Sequence, residues 1–337
     1  MSLHSRLAAT LARRTALPRT SLTPLSTTTS RILRPYASIS STNPPLLRKS
    51  PVEIARRAAS VQIFLTRWGI EAACAQARGK GEDADTRTLQ GHQAILDTLA
   101  QTAIRESMTA EELRLLGLGL GEWTVGGEIG PLWARWESFG VLLWSLRIIN
   151  GIPPNATPFP RELLFQSTAI IPAFPNTVTE FIEYFATGHG IKPEHIVEER
   201  DLSAAVARAE AWYWRSRAQV VLDLKENLKG DSPEQKEARR KIPSGLRSVM
   251  ENLDKAISAA SQRAASEGYI DEIIEDDFGV DGVAYRALDD HKIRNAAELA
   301  QMRLGALGWL CGSNAWEWEG ELQFIHPMGS LWAPSEI

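Results

Sequence analysis

Ser50-Pro51-Val52-Glu53 starts a helix by three rules at once. The serine hydroxyl can accept an unpaired amide of the first turn, and the glutamate three residues on can reach back to the serine amide. Proline suits the first helical position, where its missing N–H would have had no partner. The same grammar recurs at Thr109-Ala110-Glu111-Glu112, Thr177-Val178-Thr179-Glu180 and Ser232-Pro233-Glu234-Gln235. Gly79, Gly151, Gly188, Gly230 and Gly268 stand where helices should stop, because glycine takes the left-handed conformation of a helix end without strain. Together these signals predict helices near 51–78, 86–106, 110–118, 131–150, 178–187, 202–229, 233–241, 245–267 and 289–311. Pro153-Pro154, Pro158 and Pro160 break the chain between two of them. One strand signal stands out: Val280-Asp281-Gly282-Val283 holds the Asp-Gly pair that a tight hairpin prefers. The expected fold is therefore all-α, a single bundle-like helical domain over 50–325 with at most a short, peripheral hairpin near 278–285. A tail over 326–337 follows.

The composition fits a globular body. Of 337 residues, 44% are hydrophobic, enough for a real core, and 23% are charged. Eleven tryptophans outnumber both the phenylalanines and the tyrosines, so large flat side chains should dominate the packing. Cys74 and Cys311 are too few for a disulfide framework, which agrees with a reducing compartment. The apolar run Val141-Leu142-Leu143-Trp144 is followed at once by Ser145 and Arg147. It falls well short of the ~18 apolar residues that a membrane span needs.

The first fifty residues differ from the rest. They hold seven Arg, one Lys, seventeen Ser or Thr and no acid; the first acid is Glu53. That is the composition of an organellar transit peptide. Leu3, Leu7 and Leu11 would form a short apolar stripe if helical, with Arg6 and Arg13 away from it. Arg34-Pro35-Tyr36-Ala37 resembles a matrix-processing site, with Arg34 two residues before Tyr36 and cleavage before the small Ala37. Residues 1–36 are thus expected to be a mitochondrial presequence and 37–49 a linker. The implied partners are the import and processing machinery and, in the matrix, another protein of unknown identity. Removing 1–36 leaves 31 basic and 41 acidic residues, a net charge of −10. Such a body lacks the positive charge that dominates nucleic-acid affinity, so no nucleic-acid partner is expected. Arg239-Arg240-Lys241 reads as a solvated helix end.

Three further segments belong together. They are Trp136-Glu137-Ser138 with Val141-Leu142-Leu143-Trp144-Ser145-Leu146, then Glu210-Ala211-Trp212-Tyr213-Trp214-Arg215-Ser216-Arg217, then Arg303-Leu304-Gly305-Ala306-Leu307-Gly308-Trp309-Leu310-Cys311-Gly312 with Trp316. In these the chain resembles the family known as domain of unknown function 4272, in a fungal-type mitochondrial form. The resemblance covers about residues 105–320 and implies a helical domain; it implies no reaction. Where the family ends in a Trp followed by an Asp-Thr pair, this chain has Trp316-Glu317-Trp318-Glu319.

The same segments hold the candidate site. Trp133, Trp136, Gly140 and Trp144 fall on one face of a predicted helix, beside Glu137. Trp212 and Arg215 share a face of another, and Arg303 and Trp309 lie on a third. One reading is an aromatic-walled pocket in which a Glu and an Arg converge. The other is core, with Glu137 ion-paired to an Arg such as Arg215 or Arg303, and aromatic stripes at helical spacing favour it. Gly117-Leu118-Gly119-Leu120-Gly121 has no strand before it and no Lys-Ser/Thr after it, so a helix-ending turn or close contact is expected rather than a phosphate cradle. His92, His189, His195, His291 and His326 are scattered; only His195 with Glu198 has ligand-like spacing, and no metal site or cofactor is assigned. No nucleophile elbow is present, and Cys311 with His291 is the one thiol–imidazole pairing to consider. The two functional expectations are a non-catalytic matrix protein that binds or helps assemble another mitochondrial protein, and an enzyme of unrecognised class with an aromatic-walled small-molecule site.

Overall fold

A computed structural model describes residues 46–186, 196–316 and 322–325. The presequence, the processing site Arg34/Tyr36/Ala37, most of the linker, His189, His195 and the 326–337 tail lie outside the described residues.

The cap at Ser50 forms as its chemistry requires. Ser50 Oγ accepts the Glu53 amide at 3.3 Å, and Glu53 Oε2 accepts the Ser50 amide at 2.9 Å. Helix α1 then runs Pro51–Gly79, α2 Thr86–Gln101 and α3 Ala110–Leu116, behind the capping box of Thr109. A short 3₁₀ turn, Ala103–Ser107, takes up the end of the predicted 86–106 helix. The long helix predicted over 131–150 is instead broken. A π-helical turn Val125–Ile129 and a single turn Gly130–Leu132 precede α4, Arg135–Ser145. The chain then leaves α4 through Arg147 at φ 53°.

Helix α5, Arg161–Ser167, had no counterpart in the sequence reading; Pro160, taken as a breaker, is its N-cap residue. Helix α6 begins at Asn176 and ends at Ala186. The Thr177 hydroxyl does not cap it, because it bonds back to the preceding turn at Ile171 and Phe174. The remaining helices are α7 Glu199–Asn227, α8 Pro233–Lys241, α9 Ser244–Ser266 and α10 Asp290–Leu310. Of the described residues, 67% are helical and 3% are strand, so the fold is all-α.

The strand content is a three-stranded antiparallel meander: β1 Ile273–Ile274, β2 Asp277–Val280 and β3 Val283–Ala284. Val280 pairs with Val283 across Asp281 at φ 52° and Gly282 at φ 77°. Two successive positive φ values are what a type I′ hairpin turn demands. The hairpin is not peripheral, however. Asp277, Phe278 and Tyr285 are fully buried, and β2 packs on α9. Its turn at residues 281–283 is exposed, but the residues of β2 are buried against the helices.

Helix α1 lies at the centre, with Ile54, Ala58, Val61, Phe64 and Leu65 buried against α4 and α6. Helix α10 packs on both α4 and α7, and α9 covers α7 from another side. One contiguous apolar core runs through these elements. Ala218, Leu253 and Ile257 form a second, small cluster between α7 and α9.

Candidate functional site

The α4–α10 contact carries the first half of the candidate site. Glu137 is 1% exposed; its Oε2 accepts Arg303 Nε at 2.8 Å and is ion-paired with Nη2 at 2.7 Å. Its Oε1 accepts the Phe159 amide at 2.9 Å. Arg303 Nη1 donates to the Pro153 and Pro154 carbonyls, and Nη2 to the Thr157 carbonyl. All three guanidinium nitrogens are thus engaged. The pair pins the proline-rich crossing of residues 153–160 onto α4 and α10. Phe159 sits so close to Gly140 that a Cβ there would lie 2.4 Å from its ring, which is why a glycine occupies that position in α4. Burial pushes the Glu137 carboxyl above its usual range by more than Arg303 and the Phe159 amide pull it down.

The aromatic residues divide among different surroundings. Trp136 is buried edge-on to Phe139 at 6.2 Å. Its indole N–H has no partner among the described residues. Trp133 precedes α4 rather than sharing it, because the chain kinks at Ala134; its Nε1 donates to Glu298 at 2.6 Å. Trp144 and Trp309 are half-buried at the margin of the core. Trp309 meets Trp316 edge-on at 5.5 Å, and Lys49 lies over its ring.

The second half lies on α7. Trp212 is buried between Phe278 and Tyr285, with centroids at 5.2 and 6.2 Å. Arg215, fully buried, does not meet Glu137. It pairs with Asp277 of β2 and donates to Gln219. A buried carboxylate needs a cation beside it, and Asp277 is the acid that the hairpin brings to Arg215. The sequence reading missed Asp277. Its one signal was an acid directly before the apolar Phe278-Gly279-Val280.

Two more buried pairs went unread. Arg67 and Glu71 lie one turn apart on α1, both fully buried, with Arg67 Nε 2.9 Å from Glu71 Oε1. Arg67 Nη2 donates to the Leu118 and Gly119 carbonyls, and Glu71 accepts the amides of Gly121 and Trp123. The glycine-rich loop therefore spends its amides within the protein, Gly121 on the buried Glu71 and Gly119 on Glu122. Glu112 is held between Arg57 and Arg135. An acid and an arginine four residues apart on a helix look like a surface pair in sequence; only packing shows them buried.

The thiol–imidazole pairing is excluded. His291 and Cys311 stand at opposite ends of α10, roughly 30 Å apart by helical rise. Burial, with Glu210 nearby, pushes the Cys311 thiol up to about 12. Among the described residues no three His, Cys, Asp or Glu are placed to hold a metal, and no helix is long and apolar enough to cross a membrane.

Among the described residues, three surface cavities are lined by residues other than the candidate tryptophans, Glu137, Arg215 and Arg303. The first, about 570 Å³, lies between α7, α8 and α9. A second, about 290 Å³, lies between the end of α5 and α6. The third, about 430 Å³, is polar and bounded by Asp254, Glu275, Asp276 and Arg286.

No family model, no curated protein and no solved structure matches this chain. The likeness to domain of unknown function 4272 rests on the three quoted segments alone.

Proposed function

We propose that the chain is a mitochondrial matrix protein that acts by binding or helping to assemble another mitochondrial protein, not by catalysis. The observation that carries this reading is the closure of the Glu137–Arg303 pair. Both carboxylate oxygens and all three guanidinium nitrogens are engaged within the protein, so neither group is left to hold or activate a substrate. Arg215 and Asp277 are paired with each other through Nε and Nη2 of the guanidinium and both carboxylate oxygens. The alternative, an enzyme with an aromatic-walled site, would need one of these groups to face open space. The matrix assignment draws its support from the acid-free, Arg- and Ser-rich first 36 residues.

Affinity purification of the tagged protein from mitochondria tests the binding reading. A stoichiometric protein partner is expected, and a co-purifying metabolite turned over by the isolated protein would overturn it. Mass spectrometry of the native chain should find its N-terminus at Ala37 or within a residue or two. An intact Met1 would sink the matrix assignment.

A further inference from the structure

Three helices bring basic residues to one groove. Helix α7 supplies Lys225, with Leu228 and Lys229 just beyond its end, α8 supplies Lys236, Arg239 and Arg240, and α9 supplies Arg247, Met250 and Glu251. The α8 and α9 sets each follow the i, i+3, i+4 spacing that puts side chains on one helical face. Ile242, in the α8–α9 link, joins Leu228 and Met250 as the apolar part of the lining. Six cations and one acid, Glu251, thus line the apolar floor in a chain whose net charge is −4, with Lys225 and Lys229 paired to Asp254 and Glu226 beside it.

Helix α8 is the odd element. None of its residues is buried. Its capping box at Ser232 and a bond from Gln235 Nε2 to the Asn227 carbonyl at 2.9 Å hold its first turn. A helix that is polar all round gains nothing from the core, yet this one stands as the cationic wall of a concavity. Lys236 and Arg239 share Asp231 only at 3.9 and 3.6 Å. The side chains of Arg240 and Arg247 have no hydrogen bond or ion pair among the described residues.

We propose that the groove between α7, α8 and α9 docks an acidic amphipathic helix of a partner protein, an inference that rests on the protein-binding reading above. Carboxylates of the guest meet Lys236, Arg239, Arg240 and Arg247, while two or three of its apolar side chains settle on Leu228, Ile242 and Met250. This is helix-in-groove recognition, with charge selecting the partner. A lipid surface fits less well, because its plane does not enter a concavity of about 570 Å³. A free phosphate would leave the apolar floor empty.

Fluorescence anisotropy on the full chain tests the groove. The probe is a labelled amphipathic helix of about 16 residues with Leu on one face and Glu on the other; its Lys-for-Glu counterpart and phosphatidylserine vesicles are the comparisons. The acidic peptide should bind, the basic one should not, and added salt should weaken the complex. Arg240→Glu with Arg247→Glu should weaken it about tenfold or more. Both residues are exposed, so the far-ultraviolet spectrum should stay unchanged. Equal binding of both peptides, indifference to the double substitution, or vesicle binding without peptide binding would each overturn the proposal. A mitochondrial partner that stays bound to the doubly substituted protein also overturns the groove and spares the binding reading. Peptide binding lost on substitution supports the groove even where no mitochondrial partner is recovered, and that second result counts against the broader reading alone.

Discussion

Arg215 of α7 and Asp277 of β2, 62 residues apart in sequence, are joined by two parallel hydrogen bonds of 2.6 Å, Nε to Oδ1 and Nη2 to Oδ2, with both side chains fully buried. The ring of Tyr285 lies 4.4 Å from the guanidinium carbon. Asp277 also accepts the Phe278 amide at 2.8 Å and the Arg286 amide at 3.1 Å. This fork-to-fork pair fastens the meander to α7.

Removing one partner leaves the other charge buried and uncompensated. Arg215→Ala or Asp277→Ala should therefore each cost about 3–5 kcal/mol in a urea unfolding experiment. Arg215→Met with Asp277→Leu should recover part of that loss, because it leaves no buried charge. A cost below about 1 kcal/mol for either single change would show that the pair does not hold the hairpin in place.

The same carboxylate makes stability depend on acid. Burial pushes Asp277 up, but the Arg215 hydrogen bonds and charge, with the Phe278 amide and Arg286, hold it below its usual 3.8. The folded state then binds this proton more weakly than the unfolded state. The stabilisation is present in full above the unfolded value of 3.8 and is lost as pH falls through the lower folded value. Glu112, which burial raises but Arg57 and Arg135 lower further, acts with the same sign. Urea midpoints measured downward from pH 5 should fall more steeply for the wild type than for Asp277→Asn. Parallel curves would refute the assignment.

Trp212 and Trp144 look alike in sequence and should behave differently. Trp212 is 5% exposed, wedged between Phe278 and Tyr285, with its indole N–H on the Tyr269 carbonyl at 3.3 Å. Trp212→Ala should cost about 3–5 kcal/mol. Trp144, half-buried at the core margin, should cost only about 1 kcal/mol. Equal thermal shifts for the two would contradict this division.

Gly140→Ala places a methyl 2.4 Å from the Phe159 ring. Phe159 cannot retreat freely, because its amide is held by Glu137 and its ring lies beneath Arg303. The substitution should cost about 1–3 kcal/mol despite alanine's better helix propensity. A melting temperature at or above the wild-type value would mean that the crossing segment yields.

What the sequence determined by itself was local. Serine and threonine caps, prolines at first helical positions and the Asp281-Gly282 turn act on neighbours within four residues. The boundaries at Ser50, Thr109 and Ser232 and the hairpin after Val280 were accordingly legible. Where a cap residue had another local partner, as Thr177 does, or a proline opened a helix instead of ending one, as Pro160 does, the reading slipped. Arginine at 303 was among the expected partners of Glu137, since a buried acid demands a cation. The choice between Arg303 and Arg215, and the pairing of Arg215 with Asp277, depended on which helices pack together. So did the burial of Arg67 with Glu71 and the gathering of six basic residues from three segments around one groove. Chain separation carries no signal of spatial proximity over 62 or 166 residues. Only tertiary packing, which sets desolvation and distance together, decided where these charges lie.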